Sequence, residues 1–160
     1  SDKFKLGMRQ LAGAVTIVTA GRGEEVAGLT ATAVCSLSAS PSRLLVCLNM
    51  QGLTFDVLRR HSCFCVNVLS VDALHIAETF AQLRPSASDN KFDEGDWCFS
   101  KERSPQLLSA TVSFECQVHS VIMLATHGLV VGDVQEVHMS EPSRPLLYHE
   151  GTFSSLGSVA

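Results

Sequence analysis

The chain has 160 residues, of which 46% are hydrophobic and 18% charged, a composition that excludes a disordered segment and predicts one domain spanning residues 1–160. Sixteen acidic against twelve basic side chains leave a net charge of -4, and the basic residues are scattered along the chain. These features exclude general nucleic-acid binding through a basic face.

The first third of the chain predicts a helix followed by a β-hairpin. Residues 3–12 carry apolar side chains at helical spacing, and Gly13 can end this helix. β-branched and apolar residues run from 14 to 19, and a turn at 21–23 separates them from a second extended run at 26–38. This second run is rich in small residues, which indicates that another molecule approaches its backbone closely.

Two further strands and a helix are predicted in the middle of the chain. A turn at 40–42 leads into a strand at 43–50, and Thr54 is well placed to cap a short helix at 55–61. The apolar segment 63–69 predicts a buried strand. Helix and strand therefore alternate here with short connections.

A third helix and a long polar segment follow. Ser70 can cap this helix. Its apolar positions recur at helical spacing, at Leu74, Ala77, Phe80 and Ala81. Residues 84–96 are polar and predict a surface loop that is long enough to carry a function. We expect this loop to order around a ligand.

The last third of the chain predicts antiparallel strands. Polarity alternates strictly from 111 to 119, which predicts a half-buried strand. Its core face is expected to carry Val112, Phe114, Cys116 and Val118. Further runs at 128–138 and 145–156 complete about seven short strands with about three short helices. This count favours a barrel or a sandwich, and we predict a mainly β fold, a closed or partly open antiparallel barrel.

Cysteine and hydropathy patterns indicate the compartment. The six cysteines form neither a C-x-x-C pair nor a regular framework, which is typical of a cytosol with reduced thiols. His61, Cys63 and Cys65 could be metal ligands, but cysteines that alternate with apolar residues in a strand act as small hydrophobes, and we predict no metal site. No apolar run approaches the ~20 residues of a membrane span, and no secretory signal is present, so we expect a cytoplasmic protein.

Common catalytic motifs are missing from the sequence. A dinucleotide fingerprint would need glycines at 21, 23 and 26, but position 26 is Val26. The chain contains no G-x-x-x-x-G-K, H-E-x-x-H or G-x-S-x-G motif, which removes the usual support for an NTPase, a zinc protease or a serine hydrolase. A cysteine and histidine pair for nucleophilic catalysis stays open, although such pairs arise by chance in this composition. We therefore expect a cofactor to supply the chemistry.

One extended segment predicts a ligand-binding face. Its hydroxyl side chains recur at even spacing and point to one side of the chain: Thr30, Thr32, Ser36 and Ser38. The alternating residues are expected to face the core: Ala31, Ala33, Cys35 and Leu37. Small alanines let backbone groups reach the edge of a flat heterocycle. A Thr/Ser-rich strand with a solvated face is the alternative.

A phosphate site is predicted close to this face. Four residues precede or open the helix at 55–61, namely Asn49, Gln51, Gly52 and Thr54. Free N–H groups at a helix start can hold a phosphate. The two segments would then share one phosphorylated ligand.

Eight segments in chain order carry a resemblance to a known family. They are FKLGMRQLAGAVTIVTA, GLTATAVCSLSASP, RLLVCLNM, CFCVNVLS, the Phe80–Ala81 pair, NKF, THGLVVGDV and PLLYHEGTFSSL. In this order, over nearly the whole chain, they are similar to the flavin reductase-like (split-barrel FMN-binding) family, which includes the small reductase components of two-component flavin monooxygenases. The resemblance implies a split antiparallel β-barrel with a few short helices.

The resemblance also implies roles for individual residues. The flavin ring edge and ribityl chain are expected against Thr30, Ala31 and Thr32, and the pocket continues at Ser36, Leu37 and Ser38. Residues beside the ring or ribityl chain are Cys47, Leu48 and Asn49, with Thr54 at the phosphate. Residues that close over the flavin and any adenine end are Phe80, Ala81, Lys91 and Phe92. His127 is expected to orient the nicotinamide, and Phe153 to come from a partner subunit.

The activity implied by the resemblance is hydride transfer from NADH or NADPH to FMN or FAD, in a homodimer with shared flavin sites. Reduced flavin or its electrons would pass to an oxygenase component or to another acceptor such as a cobalt corrinoid. Met50 and Gln51 stand where many members have Arg and Ser, which affects the grip on the cofactor. A non-catalytic flavin-binding electron carrier and a structural barrel that binds nothing are the alternatives.

Overall fold

The computed structural model describes residues 1–86 and 88–157. The α-helices within them are α1 (Asp2–Met8), α2 (Leu53–His61) and α3 (Leu74–Phe80), and 3-10 turns lie at Val71–Ala73 and Lys91–Asp93. The strands of the first half are β1 (Gly13–Ala14), β2 (Thr16–Arg22), β3 (Glu25–Ala31), β4 (Val34–Ala39), β5 (Ser42–Asn49) and β6 (Cys63–Val68). Those of the second half are β7 (Trp97–Cys98), β8 (Gln106–Leu107), β9 (Val112–Leu124), β10 (His127–Met139), β11 (Leu147–His149) and β12 (Thr152–Ser154). The predicted mainly β fold is confirmed.

A seven-stranded antiparallel sheet forms the body of the protein. Its strand order is β3-β2-β6-β9-β10-β5-β4, so β3 and β4 lie at opposite edges although they follow one another in the chain. Only Thr32 and Ala33 separate these two strands. The two edges of the sheet therefore meet at this connection, and the sheet closes into the predicted split antiparallel barrel.

Two apolar cores lie on either side of the barrel wall. The interior core contains fully buried side chains of four strands and of α2, including Val18, Val46, Leu58, Phe64 and Val130. The outer core packs α3 against the wall, with Ile17, Leu69, Ile76, Phe80 and Leu107 buried. Within the described residues, the helices are too short and too polar to cross a membrane.

Two of the predicted helices begin or end differently in the structure. The first helix spans Asp2–Met8 instead of 3–12, and none of its residues is buried, so no packing extends it beyond the turn at Arg9. Gly52, not Thr54, is the N-cap of α2, and Thr54 lies buried in the first turn. Ser70 precedes the 3-10 turn at Val71–Ala73 and makes no side-chain capping bond, and Ala73, not Ser70, is the N-cap of α3.

The strand predicted at 111–119 is antiparallel, as expected, but the first half of its polar face is covered, whereas Gln117 and His119 are exposed. Ser113 is 1% exposed and Glu115 is 7% exposed because the segment 97–107 lies over them. Asn67 fixes this segment, since its Oδ1 accepts hydrogen bonds from the Leu107 N–H at 2.9 Å and the Ser113 hydroxyl at 2.9 Å. Thr19 adds a bond from its hydroxyl to the Pro105 carbonyl at 2.6 Å.

Candidate functional site

A first cavity, here the Thr30 cavity, lies at the end of β3. It encloses about 220 Å³. It is lined by Val15, Thr30, Ala31, Thr32, Ala81, Leu83, Tyr148 and Phe153. Five of the residues predicted from the sequence to bind the cofactor are therefore brought together here: Thr30, Ala31, Thr32, Ala81 and Phe153.

Phe153 lines this cavity from the same chain. Its expected contribution to the site of a partner subunit stays a prediction. β12 pairs with β11, and β11 pairs with β1 at the register Gly13–Tyr148, directly before Val15. The rings of Tyr148 and Phe153 contact each other with centroids 5.1 Å apart. This small sheet holds an aromatic pair at the cavity wall.

A second cavity, here the Lys91 cavity, lies along the earlier part of β3. It encloses about 500 Å³, within the range of small-molecule sites. Its lining comes from β3, the start of α2, the end of α3 and the loop at 89–92. It contains four residues predicted from the sequence: Thr54, Phe80, Lys91 and Phe92.

Gly28 lets α3 approach β3 closely enough to form the floor of the Lys91 cavity. A side-chain carbon at Gly28 would lie 2.8 Å from the Phe80 ring, so only glycine accommodates this contact without displacement of the ring. Phe80 also packs against Phe92 and Trp97, with centroids 5.1 and 5.3 Å apart. Because Phe80 is only 2% exposed, it supports the cavity and offers a ligand little of its own surface.

Lys91 gives the cavity a partly desolvated positive charge. Its Nζ lies 5.9 Å from the centroid of the Phe80 ring. Burial lowers the pKa of this ammonium group from its ordinary value, because the charged form loses hydration. Asp89 is the carboxylate that shares the lining, and the first residues of α2 are on the opposite wall. Such a setting suits a negatively charged group of a ligand.

Thr30 uses its hydroxyl to fasten β3 to α3. The Oγ1 group donates a hydrogen bond to the Ala77 carbonyl at 2.7 Å. Its remaining capacity is that of an acceptor, so Thr30 cannot donate to a ligand while this bond is present. The bond fixes the end of α3, which walls both cavities.

The predicted row of hydroxyls along one extended strand is wrong. The chain changes sheet edge at Thr32 and Ala33, and a register shift interrupts β4 between Ser36 and Ser38. Ser36 and Ser38 line a separate cavity of about 370 Å³ between β4, β5, β9 and β10. The alternating residues Ala33, Cys35 and Leu37, expected in the core, are exposed.

The residues predicted on β5 have different positions. Leu48 is 1% exposed in the interior core, so its side chain cannot reach a ligand, whereas Cys47 is half-buried. Asn49 builds the turn into α2, since its Oδ1 accepts the Gln51 N–H at 2.9 Å and its carbonyl accepts the Gly52 N–H at 3.2 Å. Its side-chain oxygen is therefore engaged by the turn.

His127 lies outside both cavities, at the start of β10. It is exposed and pairs across the sheet with Asn49 of β5. The Thr126 hydroxyl contacts its Nδ1 at 2.8 Å. Asn49, the cross-strand neighbour of His127, is hydrogen-bonded through its carbonyl to the N–H of Gly52, and Gly52 lines the Lys91 cavity.

One group of side chains in the described residues has metal-ligand spacing. It consists of Glu115, Glu136 and His138. Arg103 bonds both carboxylates, at 3.0 and 3.1 Å, so a side-chain cation already lies between them. His61, considered with Cys63 and Cys65 in the sequence, pairs instead with Glu25 at 2.6 Å.

Sequence reasoning missed Gln82, Leu83 and Tyr148, which also line the two cavities. Leu83 and Gln82 directly follow the predicted Phe80–Ala81 pair, and that position was the available signal. Tyr148 is the single tyrosine of the chain and stands next to the predicted Phe153 in the β11–β12 hairpin.

The residues of the two cavities fit a flavin. A narrow cavity of small and aromatic residues adjoins a larger one with an ammonium group, which matches a flat ring joined to a phosphorylated chain. Cysteine and histidine, the side chains of a nucleophile and base pair, are missing from the described lining of both. This donor set binds and orients a ligand that carries its own reactivity.

Comparison with known proteins identifies the family. Residues 8–157 match the model of the flavin reductase like domain. The FMN reductase (NADH) RutF of Cronobacter sakazakii is 33% identical over 153 residues, which cover 96% of this chain and 91% of that protein. The NADH:FAD oxidoreductase SgcE6 of Streptomyces globisporus C-1027, solved also with NAD and FAD fragments, superposes with a TM-score of 0.87 at 27% identity, covering 99% of this chain and 95% of that one.

A further solved structure is BorF, described as the flavin reductase component of a bacterial two-component tryptophan halogenase. It superposes with a TM-score of 0.86 at 26% identity and covers 99% of both chains. The domain match over residues 8–157 and the 33% identity to a relative over 96% of the chain lead to one conclusion. The chain belongs to the flavin reductase-like domain family.

Proposed function

We propose that this chain, as one domain, is an NADH-dependent flavin reductase that accepts FMN or FAD. The observation that carries the proposal is the pair of adjoining cavities along β3, one narrow and one with a desolvated ammonium group. The names of the relatives, FMN reductase (NADH) and NADH:FAD oxidoreductase, support the same reaction. NADPH is the alternative donor.

The flavin ring is proposed to lie against Thr30, Ala31 and Thr32, with its phosphorylated end in the Lys91 cavity. When bound, the flavin supplies the electron-accepting chemistry for a reduced nicotinamide. The Tyr148 and Phe153 rings form an apolar wall that excludes water from the narrow cavity. Lys91 supplies a positive charge to the phosphate end, and Phe80 with Phe92 supports it from below.

His127 is proposed to orient the nicotinamide. Its ring is exposed at the strand end, and the Thr126 hydroxyl engages Nδ1, which leaves Nε2 directed away from this contact and available to a second molecule. Ring orientation fixed by a neighbour is how a histidine presents one chosen nitrogen. A positioning contact of this kind accelerates a reaction by holding two reactants in a defined geometry.

A homodimer is proposed because one chain leaves a large apolar surface uncovered. Ile122, Met123 and Leu124 at the tip of the β9–β10 hairpin are each more than half exposed, and Phe4 on α1 is 71% exposed. Apolar surface of this extent is typical of an interface. A second copy would also bring further residues to the site. The other proposed flavin contacts are Ser36, Leu37, Ser38 and the backbone at Cys47 and Asn49.

The proposed acceptor of the reduced flavin is a separate oxygenase component, as the description of BorF indicates for that protein. The cytoplasm is the proposed compartment. All six cysteines are free in the structure, which is the state that a reducing compartment maintains.

Titration with flavins followed by nicotinamide oxidation tests the proposed function. FMN and FAD are added to the purified protein while flavin fluorescence is followed. NADH or NADPH is then added, and its oxidation is measured as the loss of absorbance of the reduced nicotinamide. We expect quenching and rapid NADH oxidation. Quenching without NADH oxidation would indicate an electron carrier, and the absence of both would contradict the proposal.

A further inference from the structure

The residue after the end of α3 adopts a backbone conformation that glycine favours. Gln82 has a φ of 59°, in the left-handed region. Its N–H donates to the Thr79 carbonyl at 3.1 Å, and the N–H of Leu83 donates to the Glu78 carbonyl at 2.9 Å. These two bonds define a Schellman motif, in which the left-handed position is usually glycine.

Glutamine is an unfavourable residue for this position. A Cβ atom in the left-handed conformation crowds the following carbonyl, and only asparagine and aspartate offset this cost with a short side chain that bonds locally. Four described non-glycine residues have a positive φ: Ser62, Gln82, Ala125 and Glu150. Of these four, Gln82 is the one that lines either cavity along β3.

Gln82 is exposed and is one of the residues that line the Lys91 cavity. In the described part of the chain its carboxamide has no hydrogen-bond partner, whereas the carboxamide of the neighbouring Asn90 accepts the Phe92 N–H at 3.1 Å and donates to Asp93 at 3.2 Å. Gln82 therefore keeps two N–H donors and one acceptor for a ligand.

The backbone at 81–83 also separates the two cavities. Ala81 and Leu83 line the narrow Thr30 cavity, and Gln82 between them lines the larger Lys91 cavity. A ligand with its ring on Thr30–Thr32 and its chain in the Lys91 cavity must pass this point. Gln82 stands on the Lys91 side, where the ammonium group attracts an anion.

We propose that the Gln82 carboxamide donates a hydrogen bond to the phosphate end of FMN, beside Lys91, and that this contact explains why glutamine occupies a glycine position. The inference rests on the proposed function, because it assigns a residue to the same flavin site. It makes Gln82 a residue that discriminates FMN from riboflavin.

Replacement of Gln82 by glycine separates ligand binding from fold stability. Gln82→Gly relieves the strained backbone, so we expect the Tm of the protein without ligand to rise by about 2–4 °C. The same change removes a hydrogen bond to a charged group, so we expect the Kd for FMN to rise about five- to tenfold. The Kd for riboflavin, which has no phosphate, is expected to stay unchanged. Fluorescence titration and thermal unfolding supply the measurements.

A matched control is available at the end of α2. Ser62 also follows a helix, has a φ of 55° and is exposed, and it lines neither cavity. Ser62→Gly should raise the Tm in the same way and leave both Kd values unchanged. Gln82→Glu tests the contact without a change of backbone preference. Because the new carboxylate repels the phosphate, this variant should lower the affinity for FMN more than the affinity for riboflavin, and the test holds even if the glycine variant folds poorly.

Two results would overturn the inference. One is a higher Tm for Gln82→Gly with unchanged affinity for FMN, together with an unchanged Kd for Gln82→Glu. The other is an equal loss of affinity for FMN and riboflavin, which would remove the phosphate from the explanation. Failure of the proposed function is distinguishable, because the unsubstituted protein would then either bind neither flavin or bind flavin without oxidising NADH.

Discussion

The hydroxyl of Thr30 donates a hydrogen bond of 2.7 Å to the carbonyl of Ala77, and this bond joins an edge strand of the barrel to the helix that walls both cavities. The carbonyl also accepts the Ala81 N–H of α3 at 3.0 Å. Thr30 therefore helps to fix the distance between β3 and the end of α3, beside both cavities.

Thr30→Val removes this bond and keeps the shape of the side chain. We expect a loss of about 1 kcal/mol in the free energy of unfolding, since the carbonyl retains its helical partner. We also expect a severalfold rise in the Kd for FMN because the end of α3 is released. Thr30→Ser restores the hydroxyl and should restore both values, measured by urea unfolding and fluorescence titration. Equal affinities for the Val and Ser variants would contradict the role of the bond.

The charge of Lys91 predicts a pH dependence of FMN binding. Burial lowers its pKa below the ordinary value of 10.5, so the ammonium group loses its proton at a lower pH in the folded chain than in the unfolded one. Between those two pKa values the unfolded state binds more protons, and the stability of the protein without ligand therefore rises with pH. FMN affinity should fall over the same alkaline range, whereas riboflavin affinity should not.

Lys91→Met is the control for this pH dependence. It removes the charge and the desolvation cost, so we expect a Kd for FMN raised about tenfold at neutral pH and flat toward alkaline pH, with no loss of stability. If the FMN affinity of Lys91→Met still fell toward alkaline pH, the pH dependence would come from a group other than Lys91.

His127→Ala tests the proposed contact with the nicotinamide. We expect the KM for NADH to rise about tenfold, because one orienting hydrogen bond is lost, while the Kd for FMN stays unchanged. His119→Ala is a matched control, since His119 is an exposed histidine of β9 whose Nδ1 lies 3.0 Å from Asp133, away from both cavities. Unchanged NADH kinetics at all concentrations for His127→Ala would exclude the contact.

Asn67 anchors the segment over the polar face of β9. It is fully buried, and Asn67→Leu leaves the Leu107 N–H, the Ser113 hydroxyl and the Ile17 carbonyl without its bonds. We expect a loss of about 3 kcal/mol in the free energy of unfolding, measured in urea, against about 1 kcal/mol for Ser113→Ala. A loss below that of Ser113→Ala would show that water replaces the side chain.

Glu25 makes the stability sensitive to acid. Hydrogen bonds from His61 and Arg60 lower the pKa of its carboxyl group below the ordinary 4.5. The stabilisation is present above pH 4.5 and is lost as the pH falls through the lowered pKa of the folded state. The Tm difference between the unsubstituted protein and Glu25→Gln should therefore be constant above pH 4.5 and shrink as the pH falls below it. A difference that stays constant below pH 4.5 as well would contradict the ion pair.

The strands with a strong hydrophobic period were predictable from the sequence, and so was the family. The segments 43–50 and 63–69 appear as β5 and β6, because their apolar residues fill the barrel interior. The break at Thr32 and Ala33 was not predictable: neither glycine nor proline marks it, and only the pairing of β3 with β2 and of β4 with β5 makes it necessary.

The candidate site shows the same division. Thr30, Ala31 and Thr32 line one cavity because they are neighbours in the chain, and packing of α3 on β3 adds Ala81; their predicted flavin contacts stay predictions. The left-handed backbone of Gln82 was not predictable from the residue type, because it arises from the way α3 ends; the only signal for Gln82 was its place after the Phe80–Ala81 pair. The burial of Leu48 was likewise not predictable, because the alternation of a strand does not show which of its two faces points into the barrel interior.

The two-residue link at Thr32 and Ala33 joins cofactor retention to the integrity of the barrel. The proposed flavin position at Thr30–Thr32 adjoins the connection between β3 and β4, the two edge strands of the sheet. A flavin bound there would stabilise the closed barrel, because a ligand that binds one state favours that state. Release of a flavin bound there would remove this linkage, so we expect loss of the cofactor and opening of the barrel edge to be coupled.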